Sequence, residues 1–311
     1  MTITPVDLAL MDTDLEAFAT ALGRSYQQCG FAVVAGHDLP PALIDGTLAC
    51  FRQFFAREEA AKRRYHVPGG HGQRGYTPFG VETAKGATAH DLKEFWHVGR
   101  ELPAGHPYRQ WMPDNLWVDD IPGFRANTYG LYQAMDAFGR RLLRAIACFL
   151  RLPLDWFDDK VDLGNSVLRI LHYPPQPDGA VAGHVRAGAH EDINVITLLL
   201  GADEGGLEVL DREGRWLPIQ PPEGCLVVNI GDMLQRLSNH VLPSTTHRVV
   251  NPAPERMRFA RYSMPFFLHF NPDFLIETLP GCIAADNPDR YPEPITAQAY
   301  LEQRLREIKL M

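Results

Sequence analysis

VLRILHY (Val167–Tyr173) opens a run of short β-rich segments, and INVITLLLG (193–201), GLEVL (206–210), CLVVNIG (225–231), HRVVN (247–251) and FARYSMPFF (259–267) follow it. Gly, Pro, Asn and Asp separate these segments. Many short strands at near-regular spacing predict a sandwich or barrel rather than a parallel sheet with crossovers. Upstream of residue 165 the period is helical. Asp12 or Asp14 is placed to cap a helix through Leu15, Phe18, Leu22 and Tyr26. FAVVAG (31–36) reads as a short strand, and Pro40–Pro41 then starts a helix through Leu43, Ile44, Leu48, Phe51, Phe54 and Phe55. Residues 66–90 read as a loop region. Residues 124–150 read as a long helix with Leu131, Met135, Phe138, Leu142 and Ile146 on one side, and 296–309 as a final helix. The expected class is α+β with a mainly β core: an antiparallel double-sheet barrel, the jelly roll or double-stranded β-helix, braced by N-terminal and C-terminal helices. The expected division is a mostly helical region at 1–118, a bracing helix at 119–164, the jelly roll at 165–271 and a tail with its helix at 272–311, packed as one unit.

The composition narrows the function. Over 311 residues the formal net charge is −8, with 45% hydrophobic and 22% charged residues, ordinary for a globular protein. Phosphate binding needs concentrated Lys and Arg, and the densest basic cluster, 57–64, is interleaved with Glu58 and Glu59, so no nucleic-acid partner is expected. Five cysteines without a CxxC pair suggest neither a disulfide framework nor a zinc knuckle. The N-terminus lacks signal-peptide character, and no apolar run reaches membrane-spanning length. The expectation is a cytoplasmic protein with a small-molecule substrate and no membrane partner; oligomeric state is not legible.

AGAHEDINVITLLL (187–200) puts His190 and Asp192 two residues apart at the start of an expected strand, where alternation would turn both to one face and Glu191 to the other. His247, in another β segment, is the expected third ligand, supplied from a facing wall. Two histidines and one carboxylate on one face of an octahedron leave three positions open, an arrangement suited to Fe(II) and O2. Zinc binds the same donor set and competes. Arg261 and Ser263 repeat the i, i+2 spacing in RYS, where a guanidinium and a hydroxyl could grip a carboxylate of a ligand or of the protein itself. Tyr173 in LHYPPQP could add a phenolic hydrogen bond or simply fill core.

The ordered set LHYPP, HED, GLEVL, NIGDMLQRLSN, STTHRV and RYSMPFF resembles the 2-oxoglutarate/Fe(II)-dependent dioxygenase superfamily, in its isopenicillin N synthase-like branch. SYQQCGFAVVAGHDLP, FFAREEAAKRRY and RGYTPFG resemble that branch's N-terminal region, so the likeness spans nearly the whole chain. It implies that His190, Asp192 and His247 bind iron, and that Arg261 and Ser263, assisted by Tyr173, bind the distal carboxylate of 2-oxoglutarate. Where the family often has Asn and Cys around that tyrosine, this chain has Leu171 and Gln176. The implied reaction consumes O2 and 2-oxoglutarate, releases succinate and CO2, and oxidises a substrate C–H bond. Arg74, Tyr76, Phe79, His97, Arg186 and Phe267 are the implied substrate contacts, and Arg74 and Arg186 would favour an acidic substrate. Two alternatives stand beside this: an isopenicillin N synthase-like or aminocyclopropane carboxylate oxidase-like enzyme without 2-oxoglutarate, and a non-catalytic barrel that binds a small acid.

Overall fold

The computed structural model describes residues 3–81, 92–175, 186–200 and 205–307. Of the two candidate caps, Asp14 opens the helix Leu15–Cys29, accepting from the Ala17 amide at 2.9 Å. Gly30 ends that helix at φ 73°, and a Cβ there would lie 2.2 Å from Thr245 Oγ1. Only glycine lets the helix end reach the turn that leads into His247. Pro at the first turn starts Pro41–Phe55, and the 26-residue helix Phe124–Phe149 buries the predicted stripe from Leu131 to Ile146.

The N-terminal part supplies β1 (Val6–Asp7), β2 (Phe31–Ala35), β3 (Gly75–Thr77) and β4 (Glu94–Gly99). The later part supplies β5 (Val167–Tyr173), β6 (Ala187–His190), β7 (Ile196–Leu200), β8 (Leu207–Leu210), β9 (Trp216–Pro218), β10 (Leu226–Ile230), β11 (His247–Val249) and β12 (Arg261–Leu268). Among the described residues these form an eight-stranded sheet, β1-β2-β10-β7-β12-β5-β4-β3, and a four-stranded sheet, β6-β11-β8-β9. All pairings are antiparallel except β1 with β2. A small hairpin of β13 (Leu275–Ile276) and β14 (Ile295–Thr296) leads to the last described helix, Ala297–Glu307. Of the expected 296–309 helix, residues 308 and 309 lie outside the described residues, as do 82–90 of the expected loop.

Two differences from the sequence reading bear on the site. The first 118 residues give four of the eight large-sheet strands, so helices and barrel share one sheet rather than adjoining as blocks. KEFWHVG contains β4, whose six residues are all buried, which erases the alternation that marks a half-exposed strand.

Paired residues on neighbouring strands share a face. Trp96, Ile170, Met264, Leu198 and Val228 face the helices, where Trp96 meets Phe51, Phe54 and Phe124 at ring-centroid separations of 5.9, 4.9 and 5.3 Å. Each such ring, buried, contributes roughly 2–3 kcal/mol. On the same face Glu94 accepts from Lys62 Nζ at 2.6 Å and from Tyr76, and lies 2.7 Å from His172 Nδ1. The opposite, odd-numbered face lines the barrel interior. Phe31, Val33, Leu207, Val209, Ile219, Cys225 and Val227 fill one half of that interior with apolar side chains. No described helix is long and apolar enough to cross a membrane.

Candidate metal centre and co-substrate pocket

β6 ends on His190 and β11 begins on His247, and pairing sets the two directly opposite each other with ring centroids 4.4 Å apart. Asp192 belongs to neither strand. It stands in the crossing from β6 to β7, where the chain passes from the small sheet to the large one. The expectations of strand alternation and of a facing wall are therefore corrected: the histidines are cross-strand neighbours in one sheet, and a bend delivers the carboxylate. One donor atom from each residue lies within 4.8 Å of the others, with His190 Nε2 3.7 Å from Asp192 Oδ1 and His247 Nε2 3.9 Å from Oδ2.

The surroundings fix which atoms face the gap. Nδ1 of His190 lies 2.8 Å from the Gly188 carbonyl and Nδ1 of His247 lies 3.1 Å from that of Thr245. A carbonyl only accepts, so each Nδ1 carries the proton and each Nε2 lone pair is left for a metal. Asp192 Oδ2 accepts from Thr197 Oγ1 at 2.6 Å and Asn229 Nδ2 at 2.8 Å. Asn194 in turn donates to Thr197 Oγ1 at 2.9 Å. Burial pushes the Asp192 carboxyl up, but His247, His190, Asn229 and Thr197 together hold it below its ordinary range. Desolvation first, then His247, pushes the His190 imidazole down to about 4, a shift that water softens because 41% of the side chain is exposed. Two imidazole Nε2 atoms turned to one gap, a carboxylate held ionised and one accessible side are a donor set that fits a divalent metal with open positions.

The other predicted residues lie on the same odd-numbered face. Arg261 opens β12 opposite Tyr173, and Ser263 lies opposite Leu171, which is itself opposite Phe95. Arg261 is 5% exposed, and its Nε and Nη1 have no hydrogen-bond partner among the described residues. Its Cζ lies 5.0 Å from the Tyr173 ring centre, and that of buried Arg186 lies 5.6 Å from the same ring. Such a cation is costly to bury and fits an anion that enters the pocket. Gln176 lies outside the described residues.

The predicted substrate contacts divide. His97 faces the interior with Phe267, and Arg169, opposite His97 on β5, joins them. Arg169 Nε donates to His97 Nε2 at 2.6 Å, and its guanidinium lies 4.5 Å from the Phe95 ring and 5.3 Å from Phe267. Of the other three, one is turned away from the interior. Tyr76 is fully buried on the helical face, with its phenol on Glu94 and Glu59, because its pairing with Trp96 turns it away from the interior. Arg74 lies over Gly99, whose missing Cβ would come within 2.0 Å of its Cζ, at the Val167 end of β5, the residue with which Phe267 also pairs. Phe79 is 40% exposed beyond β3.

Sequence reading missed Thr197, Asn229 and Arg169. Thr197 and Asn229 are each the one polar residue of an apolar strand, and Arg169 is a charge within a mostly apolar one, which was a usable signal.

Comparison with known proteins matches residues 164–270 to the 2OG-Fe(II) oxygenase superfamily and residues 3–120 to the N-terminal region of a non-haem dioxygenase in morphine synthesis. The chain is 34% identical to a 2-oxoglutarate-Fe(II) type oxidoreductase, hxnY, of Emericella nidulans, over 92% of this chain and 84% of the relative. A crystal structure of a 2OG-Fe(II) oxygenase family protein from Caulobacter crescentus is 57% identical, with a TM-score of 0.92 over 98% of this chain and 99% of that one. A full-length Neurospora crassa protein crystallised in complex with alpha-KG and thymine is 32% identical, with a TM-score of 0.84 over 98% and 96%.

Proposed function

The chain belongs to the 2-oxoglutarate- and Fe(II)-dependent oxygenase superfamily, and from that premise we propose that His190, Asp192 and His247 hold its iron while Arg261, Ser263 and Tyr173 receive the far carboxylate of 2-oxoglutarate. The protein is an oxidoreductase acting on a C–H bond of a small organic substrate. Bound in the centre, Fe(II) with O2 and 2-oxoglutarate supplies the oxidising power, ending in succinate and CO2.

The observation that supports the assignment is the buried guanidinium of Arg261, whose Nε and Nη1 have no hydrogen-bond partner among the described residues, in a chain that also gathers two histidines and a carboxylate able to hold a metal. Arg261 offers charge-assisted hydrogen bonds and Ser263 a hydroxyl on the same strand face, while the Tyr173 ring backs the guanidinium. Thr197 and Asn229 hold Asp192 with one oxygen engaged, which fixes its orientation before a metal arrives. The apolar half of the interior keeps water from that side.

The prime substrate would lie against Phe95, His97, Arg169 and Phe267. That wall suits a compact, flat molecule carrying an acceptor group, such as a carbonyl or carboxylate, for Arg169. The Neurospora crassa protein, crystallised once with thymine and once with 5-formyluracil, is in keeping with that size. The test is succinate release from 2-oxoglutarate by the Fe(II)-loaded protein, screened against planar carbonyl and carboxylate compounds. Stoichiometric succinate with an oxidised product is expected, and turnover without succinate would move the protein to the oxidases that dispense with 2-oxoglutarate.

A further inference from the structure

Glu191 separates two of the proposed ligands, and its carboxylate serves both ligand-bearing segments. Oε1 accepts a hydrogen bond from Thr246 Oγ1, the residue before His247, and Oε2 lies 3.7 Å from Arg304 Nη2 of the C-terminal helix Ala297–Glu307. Arg304 Nε also lies 3.2 Å from Asp232 Oδ2, an ion pair rather than an aligned hydrogen bond. The Asp232 amide, in turn, donates to the Asp192 carbonyl at 2.8 Å. One guanidinium thus touches the two acidic residues that are tied, through Thr246 and through the Asp192 backbone, to all three ligand positions. Asp232 is 4% exposed and Glu191 half-buried, so the two negative charges are crowded together beside Asp192, and Arg304 is the cation facing both.

We propose that Arg304 is a positioning residue for the metal centre: by pairing with Glu191 and Asp232 it holds the His190–Asp192 bend and the His247 strand at the spacing the metal needs, and so couples docking of the C-terminal helix to Fe(II) affinity. This rests on the reading of His190, Asp192 and His247 as the iron ligands. Without Arg304, Asp232 is a buried carboxylate next to two like charges. The cheapest relief is a local shift that carries the Asp192 carbonyl with it. Arg304 does not touch the reacting atoms; its effect passes through Glu191 and Asp232. Supporting groups around metal ligands commonly change affinity by about 10–100-fold, and the lower part of that range is expected here because Arg304 acts one residue further out.

The experiment is anaerobic Fe(II) titration of the full chain, wild type against Arg304→Met, Arg304→Lys, Glu191→Gln, the Arg304→Met/Glu191→Gln double variant and Asp192→Ala. The Fe(II) dissociation constant is read beside the Tm of the metal-free protein. Arg304→Met should weaken Fe(II) binding about 10-fold and Arg304→Lys should restore part of it. The double variant should lose less than the product of the single losses, the signature of residues acting as a pair. If Arg304→Met does not fold, Glu191→Gln alone must show the weakened affinity. Fe(II) affinity within twofold of wild type in Arg304→Met, or a loss of Tm with unchanged affinity, overturns the proposal while Asp192→Ala still loses metal. Retention of iron by Asp192→Ala instead defeats the ligand assignment beneath it.

Discussion

Replacing Arg261 with methionine separates a role in binding from a role in folding. The side chain is 5% exposed and its Nε and Nη1 have no hydrogen-bond partner among the described residues, so the metal-free protein bears the cost of a buried cation, offset in part by the Tyr173 ring 5.0 Å away. Methionine keeps the length of the stem, gives up about 1 kcal/mol of cation–π contact and removes the unpaired charge, so the Tm of the apo protein should hold or rise. Binding should respond in the opposite direction. Each charge-assisted hydrogen bond contributes about 1.5–3 kcal/mol, and two of them, at a site water barely reaches, make a loss of roughly 3–5 kcal/mol. At about 1.4 kcal/mol per tenfold, the dissociation constant for 2-oxoglutarate should rise at least 100-fold. Calorimetric titration of the Mn(II)-loaded protein with 2-oxoglutarate reads this directly, and the Tm of both proteins with and without the co-substrate reads the folding side. A variant that binds 2-oxoglutarate within threefold of wild type, or an apo protein that unfolds, would refute the reasoning.

Three further outcomes follow from the same contacts. Asn229→Leu removes one of two hydrogen bonds to Asp192 and should weaken Fe(II) binding about 10–100-fold; unchanged metal titration would take Asn229 out of the site. Arg169→Leu should raise the KM for the prime substrate while leaving that for 2-oxoglutarate within twofold, and steady-state kinetics in which only the latter moves would reverse the division of the pocket. Glu94 is pushed up by burial but held below its ordinary value by His172, Lys62 and Tyr76, so its contribution is present above the unfolded carboxylate pKa near 4.5 and is lost as pH falls through the lower folded value. Glu94→Leu should cost about 3–5 kcal/mol at neutral pH because Lys62 is left buried without its closest partner; urea unfolding within 1 kcal/mol of wild type would contradict this.

The clustering of His190, Asp192 and His247 could be read ahead of folding because they are chemically specific residues in a fixed order, as the proposed roles of Arg261 and Ser263 were, and the barrel was legible because its strands are short and punctuated. Which face each residue takes was not. Tyr76 and His97 lie in similar-looking stretches, yet pairing with Trp96 turns one towards the helices and pairing with Arg169 turns the other inward. Cross-strand register is a tertiary property, and a shift of one residue inverts every such assignment. The position of Asp192 in a bend between sheets was hidden for the same reason, since HED followed by INVITLLL reads locally as one continuous strand. Glu191 and Arg304 are 113 positions apart and only folding brings them together.

The most direct test of the account is anaerobic addition of Fe(II) and 2-oxoglutarate to metal-free protein, followed by visible absorption, with Asp192→Ala and Arg261→Met alongside. A weak charge-transfer band is predicted that needs both components, is absent in Asp192→Ala and requires far more 2-oxoglutarate in Arg261→Met. A band that survives unchanged in Asp192→Ala, or tight iron binding with no band at any 2-oxoglutarate concentration, would contradict it.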